Sequence, residues 1–169
     1  MQEFVILVDD NDNEIGVDEK LKAHEEGKLH RAFSIFIFNS KNELLLQRRA
    51  LNKYHSAGLW TNTCCSHPRP DEDITISVHR RLKEEMGFDC DLKEIFTFKY
   101  KVPFTNGLTE HEFDHVFIGH YEENPNPNPE EVDSFEWMNL PTLSEKMKTN
   151  GELYTEWLKI CFEELKKYI

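Results

Sequence analysis

No apolar run in this 169-residue chain approaches the roughly 20 residues needed to span a bilayer, so no membrane-spanning helix and no membrane partner are expected. Residues 1–10 have no basic start followed by an apolar stretch, which argues against a secretory signal. Cysteine is scarce: Cys64, Cys65, Cys90 and Cys161, two of them adjacent. That is not a disulfide framework, and it fits a reduced, cytoplasmic chain. Basic residues are outnumbered, 20 Lys and Arg against 32 Asp and Glu, for a net charge of -12. An excess of that sign argues against nonspecific nucleic-acid binding, which draws on clustered cations. It leaves room for a phosphate-bearing ligand, because a local basic pocket or a metal ion inverts the field around it. Internal repeats are absent, and the length suits one domain, residues 1–169, with a real core.

What is present is patterned. Residues 4–8 are an apolar run, predicted as a strand. Residues 9–13 are turn chemistry with a faint likeness to a calcium loop, whose Gly and terminal Glu are not in place. A short helix is predicted over 18–26, ended by Gly27. Residues 32–38 suit a central strand, and 43–49 return from a turn at 39–42, so the two read as a hairpin. The clearest helix is 73–86, where Ile74, Val78, Leu82 and Met86 recur every fourth residue and Gly87 stands as a C-cap. Strands are predicted at 95–102, 110–121 and 135–138, an exposed Asn-Pro loop at 124–129, and helices at 143–148 and 154–167. The sum is an α+β fold, a mixed sheet flanked by helices.

Four groups of side chains carry potential chemistry. Glu110 and Glu112 lie two apart on a predicted strand and share a face, where they can hold a hard cation or shuttle a proton. A solvent-facing acidic strand has the same pattern. His24, His30 and His67 would complete a five-ligand site with them, although His55, His79, His111, His115 and His120 are equally available by count. Cys65 shares parity with His67 on an extended segment, whereas Cys64 points the other way, which favours Cys65 as the reactive thiol. An ordinary buried cysteine is the alternative. On the helix, Arg81 and Glu85 are four apart, and Arg48, Arg49 and Lys53 add positive charge after the second hairpin strand. These suit a diphosphate with a bridging cation, or a solvated helix face.

Together these residues resemble the type I isopentenyl-diphosphate isomerases, a branch of the Nudix fold, itself an α/β/α sandwich. The resemblance runs from His24 to Trp157. It rests on the segments 20–24, 29–33 and 48–50, on the string Trp60-Thr61-Asn62-Thr63-Cys64-Cys65-Ser66-His67-Pro68, and on Glu110-His111-Glu112. The Nudix pattern of Gly, five residues, Glu, seven residues, Arg-Glu-Leu-x-Glu-Glu-x-Gly is matched at Glu72, Arg80, Leu82, Glu84, Glu85 and Gly87. Ser66 stands where the Gly would be, and Arg81 where the first Glu of the cluster would be. That acid helps hold the hydrolytic metals, so a cation in its place argues for diphosphate binding over hydrolysis.

The resemblance implies that His24, His30, His67, Glu110 and Glu112 bind one Mn²⁺, Mg²⁺ or Zn²⁺, and that Glu85 contacts a Mg²⁺ on the substrate diphosphate. It implies proton transfer by Cys65 and Glu112, assisted by Tyr100. Lys20, Arg49, Lys53 and Arg81 would contact the diphosphate, and Trp157 would lie over the hydrocarbon end. The implied reaction interconverts isopentenyl and dimethylallyl diphosphate through a tertiary carbocation, in isoprenoid biosynthesis. Glu112 would help deliver one proton and the Cys65 thiolate take the other, with the direction of each left open. The competing expectations are a Nudix diphosphate hydrolase and a catalytically silent Nudix-fold binding module.

Overall fold

Alternation along two buried strands divides the core into two layers. In the computed structural model, which describes residues 2–169, the elements run β1 (Phe4–Val8), β2 (Glu14–Glu19), α1 (Lys20–Glu26), β3 (His30–Phe38), β4 (Glu43–Arg49), β5 (Trp60–Thr61), β6 (Cys64–Ser66), α2 (Ile74–Met86), β7 (Leu92–Pro103), β8 (Thr109–His120), β9 (Val132–Asn139), α3 (Leu140–Thr149) and α4 (Glu156–Leu165). Phe33, Ile35 and Ile37 of β3 pack with Val78, Leu82 and Met86 of α2. Phe36 and Phe38 point the other way, onto Leu143 of α3 and Leu158 and Phe162 of α4. The period of two along β3 therefore feeds both faces of one mixed sheet, with helices on either side. Among the described residues no helix is long and apolar enough to cross a membrane.

The expected hairpin of β3 and β4 holds only at its turn, where Asn39 N donates to Glu43 O at 3.1 Å. The two strands meet only at Phe38 and Leu44 and then part. β3 continues parallel to β8 from His30–Glu112 to Phe38–His120, while β4 pairs antiparallel with β9. Residues 60–66 fill the opening: Gln47 and Arg48 of β4 pair with Thr61 and Trp60, and Phe33, Ser34 and Ile35 of β3 pair with Ser66, Cys65 and Cys64. Side chains take over where the ladder is interrupted. Thr63 Oγ1 donates to Leu45 O at 2.6 Å and accepts from Ile37 N at 3.0 Å. Asn62 Nδ2 donates to Ile35 O at 3.1 Å. Opposing strands cannot part in a buried sheet without such substitutes, so the Thr-Asn-Thr of the 60–68 string is the physical condition for the opening.

β2 escaped prediction because its only apolar side chains are Ile15 and Val17, too short an alternation to mark a strand, and both are exposed; its order comes from backbone pairing with β1. That pairing starts the helix at Lys20, two residues later than predicted. The 9–13 turn is closed by its own chemistry, with Asp9 Oδ1 accepting from the backbone N–H of Asn11 and Asn13. α2 begins one residue after its N-cap Asp73, which accepts from Thr75 N. It ends at Gly87, where φ is 77° and an added Cβ would stand 2.2 Å from Asn126 O. The Asn-Pro loop is thus not free in solvent: Pro125 is buried, and Asn128 N donates to Glu85 O at 2.9 Å. α3 is longer than predicted because Asn139 caps it and Pro141 fits its first turn.

Candidate active site

One row across three strands places the buried acid. His30 on β3 pairs with Glu112 on β8, and Glu112 pairs with Tyr100 on β7. Period two along β8 puts Glu110, Glu112 and Asp114 on the same face, and all three are buried. The Tyr100 hydroxyl contacts Glu112 Oε2 at 2.5 Å and Glu110 Oε2 at 3.1 Å. Around this row opens a small cavity, lined by Lys20, Arg49, Lys53, His55, Cys65, His67, Arg81, Glu85, Tyr100, Glu110, Glu112, Glu131 and Trp157. Every side chain that the resemblance assigns to the site lines it except His24 and His30, which lie fully buried; Arg48, offered with Arg49 and Lys53 as a diphosphate cluster, instead pairs with Asp133 at 3.3 Å and donates to Gly58 O at 2.9 Å.

The histidines turn their Nε2 atoms toward the buried carboxylates. His24 Nδ1 lies 2.6 Å from Lys20 O and His30 Nδ1 lies 2.8 Å from Lys28 O. A carbonyl only accepts, so each Nδ1 carries a proton, and the ring in its neutral form presents a bare Nε2. Those two Nε2 atoms have no hydrogen-bond partner and stand 3.4 Å from Glu110 Oε1 and 3.5 Å from Glu112 Oε1. His67 Nε2 reaches Glu112 Oε1 at 2.9 Å. Lone pairs held against carboxylate oxygens in a buried space repel unless a cation lies between them, so the donor set fits a divalent metal. His24, His30, His67 and Glu112 bring their donor atoms within 4.8 Å of one another. Glu110 departs from the expected single five-donor cluster. It groups with His24 and with His55, a residue not singled out by sequence, whose Nε2 lies 2.7 Å from Glu110 Oε1.

The protonation balance follows from burial and proximity. Burial opposes charge on His24, but the Glu110 carboxylate outweighs it and raises the pKa. Burial, reinforced by His30, lowers that of His67 well below the ordinary histidine value. Burial also lowers that of His55, against the pull of Glu110. Burial works against the charge of Glu112 as well, yet Glu110, the nearby His30 and the Tyr100 hydroxyl hold its pKa low. Asp114 is driven the other way, well above the carboxylate range, by burial and by Glu112 beside it.

The two adjacent cysteines face opposite layers. Cys64 is fully buried in the α2-side core, whereas Cys65 opens on the cavity. Cys65 Sγ lies 3.0 Å from Asn62 Oδ1 and 3.5 Å from Ser34 Oγ, and Ser34 donates to Asp114 at 2.7 Å. Burial, then Asp114, push the Cys65 thiol up, so it keeps its proton. Asn62, Ser34 and Asp114 were not singled out by sequence as site residues. Asp114 was within reach, since it continues the alternation of Glu110 and Glu112.

Cations gather at the other side of the cavity, and Lys20, Lys53 and Arg81 are each held by an acid. Lys20 pairs with Glu3 at 2.7 Å, and Lys53 with Glu131. Arg81 reaches Glu85 at 2.5 Å, Glu84 at 2.6 Å and Glu131 at 3.4 Å. Glu85 Oε2 also accepts from Gln47 Nε2 at 3.0 Å. Arg49 donates to His55 O at 3.2 Å, and its guanidinium sits 5.3 Å from the centre of the Trp157 ring. Such a cluster of cations beside a buried carboxylate can receive an anion with its counter-cation.

Comparison with known proteins adds independent observations. A model of the NUDIX domain family matches residues 28–158. Isopentenyl-diphosphate Delta-isomerase 2 of Aromatoleum aromaticum is 51% identical over 165 residues, covering 98% of this chain and 87% of that protein. Isopentenyl-diphosphate Delta-isomerase of Burkholderia multivorans is 50% identical over 163 residues, covering 96% and 93%. Among solved structures, DR0079 from Deinococcus radiodurans superposes with a TM-score of 0.81 over 96% of this chain and 98% of its own, at 19% identity. A MutT protein from Methanosarcina mazei gives 0.67 over 83% and 94%, at 20% identity. These two likenesses concern the fold alone.

Proposed function

The chain belongs to the NUDIX domain family and, within it, to the isopentenyl-diphosphate Delta-isomerases, and we propose that it interconverts isopentenyl and dimethylallyl diphosphate by proton transfer at Cys65 and Glu112. The observation that carries this reading is the meeting, in one cavity, of a thiol, a carboxylate hydrogen-bonded to Tyr100, and four cations. Moving a double bond needs one group to give a proton to the terminal methylene and another to take one from the carbon nearer the diphosphate. Cys65 and Glu112 fill these places and exchange roles when the reaction reverses.

Protonating an unactivated alkene makes a tertiary cation, which water would trap as an alcohol. The burial of Tyr100, Glu112 and Trp157 supports a site from which water is excluded. The Trp157 ring would face the hydrocarbon end, a contact worth about 1–2 kcal/mol for a desolvated cation. Tyr100 would hold Glu112 in place while it exchanges its proton. Lys20, Arg49, Lys53 and Arg81 would bind the diphosphate, exchanging the carboxylates of Glu3 and Glu131 for phosphate oxygens. Glu85 would meet the Mg²⁺ that accompanies the diphosphate.

His24, His30, His67, Glu110 and Glu112 would hold one Mn²⁺, Mg²⁺ or Zn²⁺, the imidazoles favouring the transition metals. Its charge would polarise the carboxylates beside the reacting carbon. Free cysteines support a reducing, cytoplasmic setting.

A diphosphate hydrolase on the same fold is separated by its products. Purified protein incubated with isopentenyl diphosphate and Mg²⁺ should form dimethylallyl diphosphate while releasing neither phosphate nor diphosphate. Phosphate release without isomer would replace this reading with hydrolysis. Ligand binding without either product would replace it with a silent binding module.

A further inference from the structure

We infer that His55 is a positioning residue of the metal centre, donating its Nε2 proton to Glu110 and so fixing the carboxylate that faces His24. This rests on the metal reading of Glu110 above and adds a residue to it. His55 Nε2 lies 2.7 Å from Glu110 Oε1, the same oxygen that stands 3.4 Å from His24 Nε2. One carboxylate oxygen has two lone pairs. One can face the cation among the histidines while the other accepts from His55. The far side of the ring supports that tautomer: Ser56 Oγ lies 3.2 Å from His55 Nδ1, where a hydroxyl can donate.

The ring is held from every side. It stacks on Phe104 with centroids 4.8 Å apart and an interplanar angle of 14°. It lies perpendicular to the Trp157 ring, with centroids 5.8 Å apart. Its backbone carbonyl accepts from Arg49 at 3.2 Å. The loop that carries it closes on itself through Arg49 N to Leu59 O and Gly58 N to Arg49 O, and Asn106 Nδ2 donates to Tyr54 O. Ser56 takes a left-handed φ of 51°, uncommon for a non-glycine residue. So much local constraint on a buried residue, 6% exposed, fits a part whose orientation matters. His55 thereby ties Glu110 to the Trp157 wall of the cavity. Carboxylate ligands held by an outer hydrogen-bond donor typically lose 10- to 100-fold in metal affinity when that donor is removed.

The test uses two substitutions that separate ring packing from proton donation. His55→Phe keeps the stacking on Phe104 and removes the donor; His55→Gln keeps a donor and removes the ring. Metal-free full-length protein is titrated with Co²⁺ against a chromophoric chelator, without substrate, and the visible spectrum is recorded at saturation. The inference expects His55→Phe to bind roughly 10- to 100-fold more weakly, with an unchanged saturated spectrum, and His55→Gln to stay close to the parent. Unchanged affinity in His55→Phe overturns it, as does equal weakening in both variants, which would mean packing alone. A changed saturated spectrum overturns it in favour of direct ligation by His55. The expected pattern in protein that turns over no isopentenyl diphosphate supports the His55 role and counts against the isomerase reading alone.

Discussion

Arg81 Nε donates to Ser66 Oγ at 3.0 Å, so the two positions at which this chain departs from the Nudix pattern are in contact. Ser66 closes β6 beside Cys65, and Arg81 lies on α2 facing Glu84, Glu85 and Glu131. Where the pattern calls for an acid that helps hold hydrolytic metals, a guanidinium is fastened to the edge of the cavity. Its surrounding carboxylates push its pKa further up against the cost of burial, so the charge is permanent.

Replacing Arg81 with Gln should therefore raise KM for isopentenyl diphosphate by about 10- to 150-fold, the worth of a charge-assisted hydrogen bond of about 1.5–3 kcal/mol. The fall in kcat should be smaller, because the contact is made in the ground state as well as the transition state. Steady-state kinetics settle this, and an unchanged KM removes Arg81 from the diphosphate site.

The adjacent cysteines should separate cleanly. Cys65→Ala should abolish turnover and leave the fold intact by circular dichroism. Cys64→Ala should keep turnover and lose about 1 kcal/mol of stability, a usual cost for a core substitution. Near-normal turnover in Cys65→Ala would move the reactive thiol elsewhere, with Cys64 tested next.

Metal binding should strengthen as pH rises. His24 must present a bare Nε2 to a cation, yet its pKa is raised from 6.5 by Glu110. In metal-free protein the folded-state rise means that the His24–Glu110 pair stabilises fully below the unfolded value and loses this as pH rises through the folded one. Metal reverses the sign, because protons compete for the same nitrogen. The increase in Tm produced by added Zn²⁺ should thus be larger at about pH 8 than at about pH 6. An increase independent of pH would exclude His24 as a ligand.

Glu72 offers the opposite sign. Arg80 grips both its oxygens, at 2.6 and 2.8 Å, and lowers its pKa from 4.5 to about 2 against partial desolvation. The ionised pair stabilises above the unfolded value and is lost as pH falls through the folded one, in the window between 4.5 and about 2. The stability difference between the parent and Glu72→Gln should shrink across that window in urea titrations. A difference that stays constant with pH would show that the pair contributes nothing measurable.

The sequence made part of this legible and hid the rest for physical reasons. α2 could be placed nearly to the residue, because Asp73, Gly87 and the four-residue stripe act within one turn of their own positions. The parity of Cys65 and His67, and of Glu110 and Glu112, needed only the geometry of an extended chain. The parting of β3 and β4 was hidden, since it depends on residues 60–66 arriving between them. His55 was hidden too, because its loop has no period and its partner Glu110 lies far along the chain on β8. Asp114 continued a visible alternation, but its raised pKa arises from Glu112 and burial, which only folding supplies.

The most direct measurement is a proton NMR time course of the purified protein with isopentenyl diphosphate, Mg²⁺ and added Mn²⁺ or Zn²⁺ in D₂O. The account predicts dimethylallyl methyl signals that appear with deuterium incorporated from solvent, and no deuterated product from Cys65→Ala. Persistence of intact isopentenyl diphosphate in the metal-loaded parent protein would contradict it.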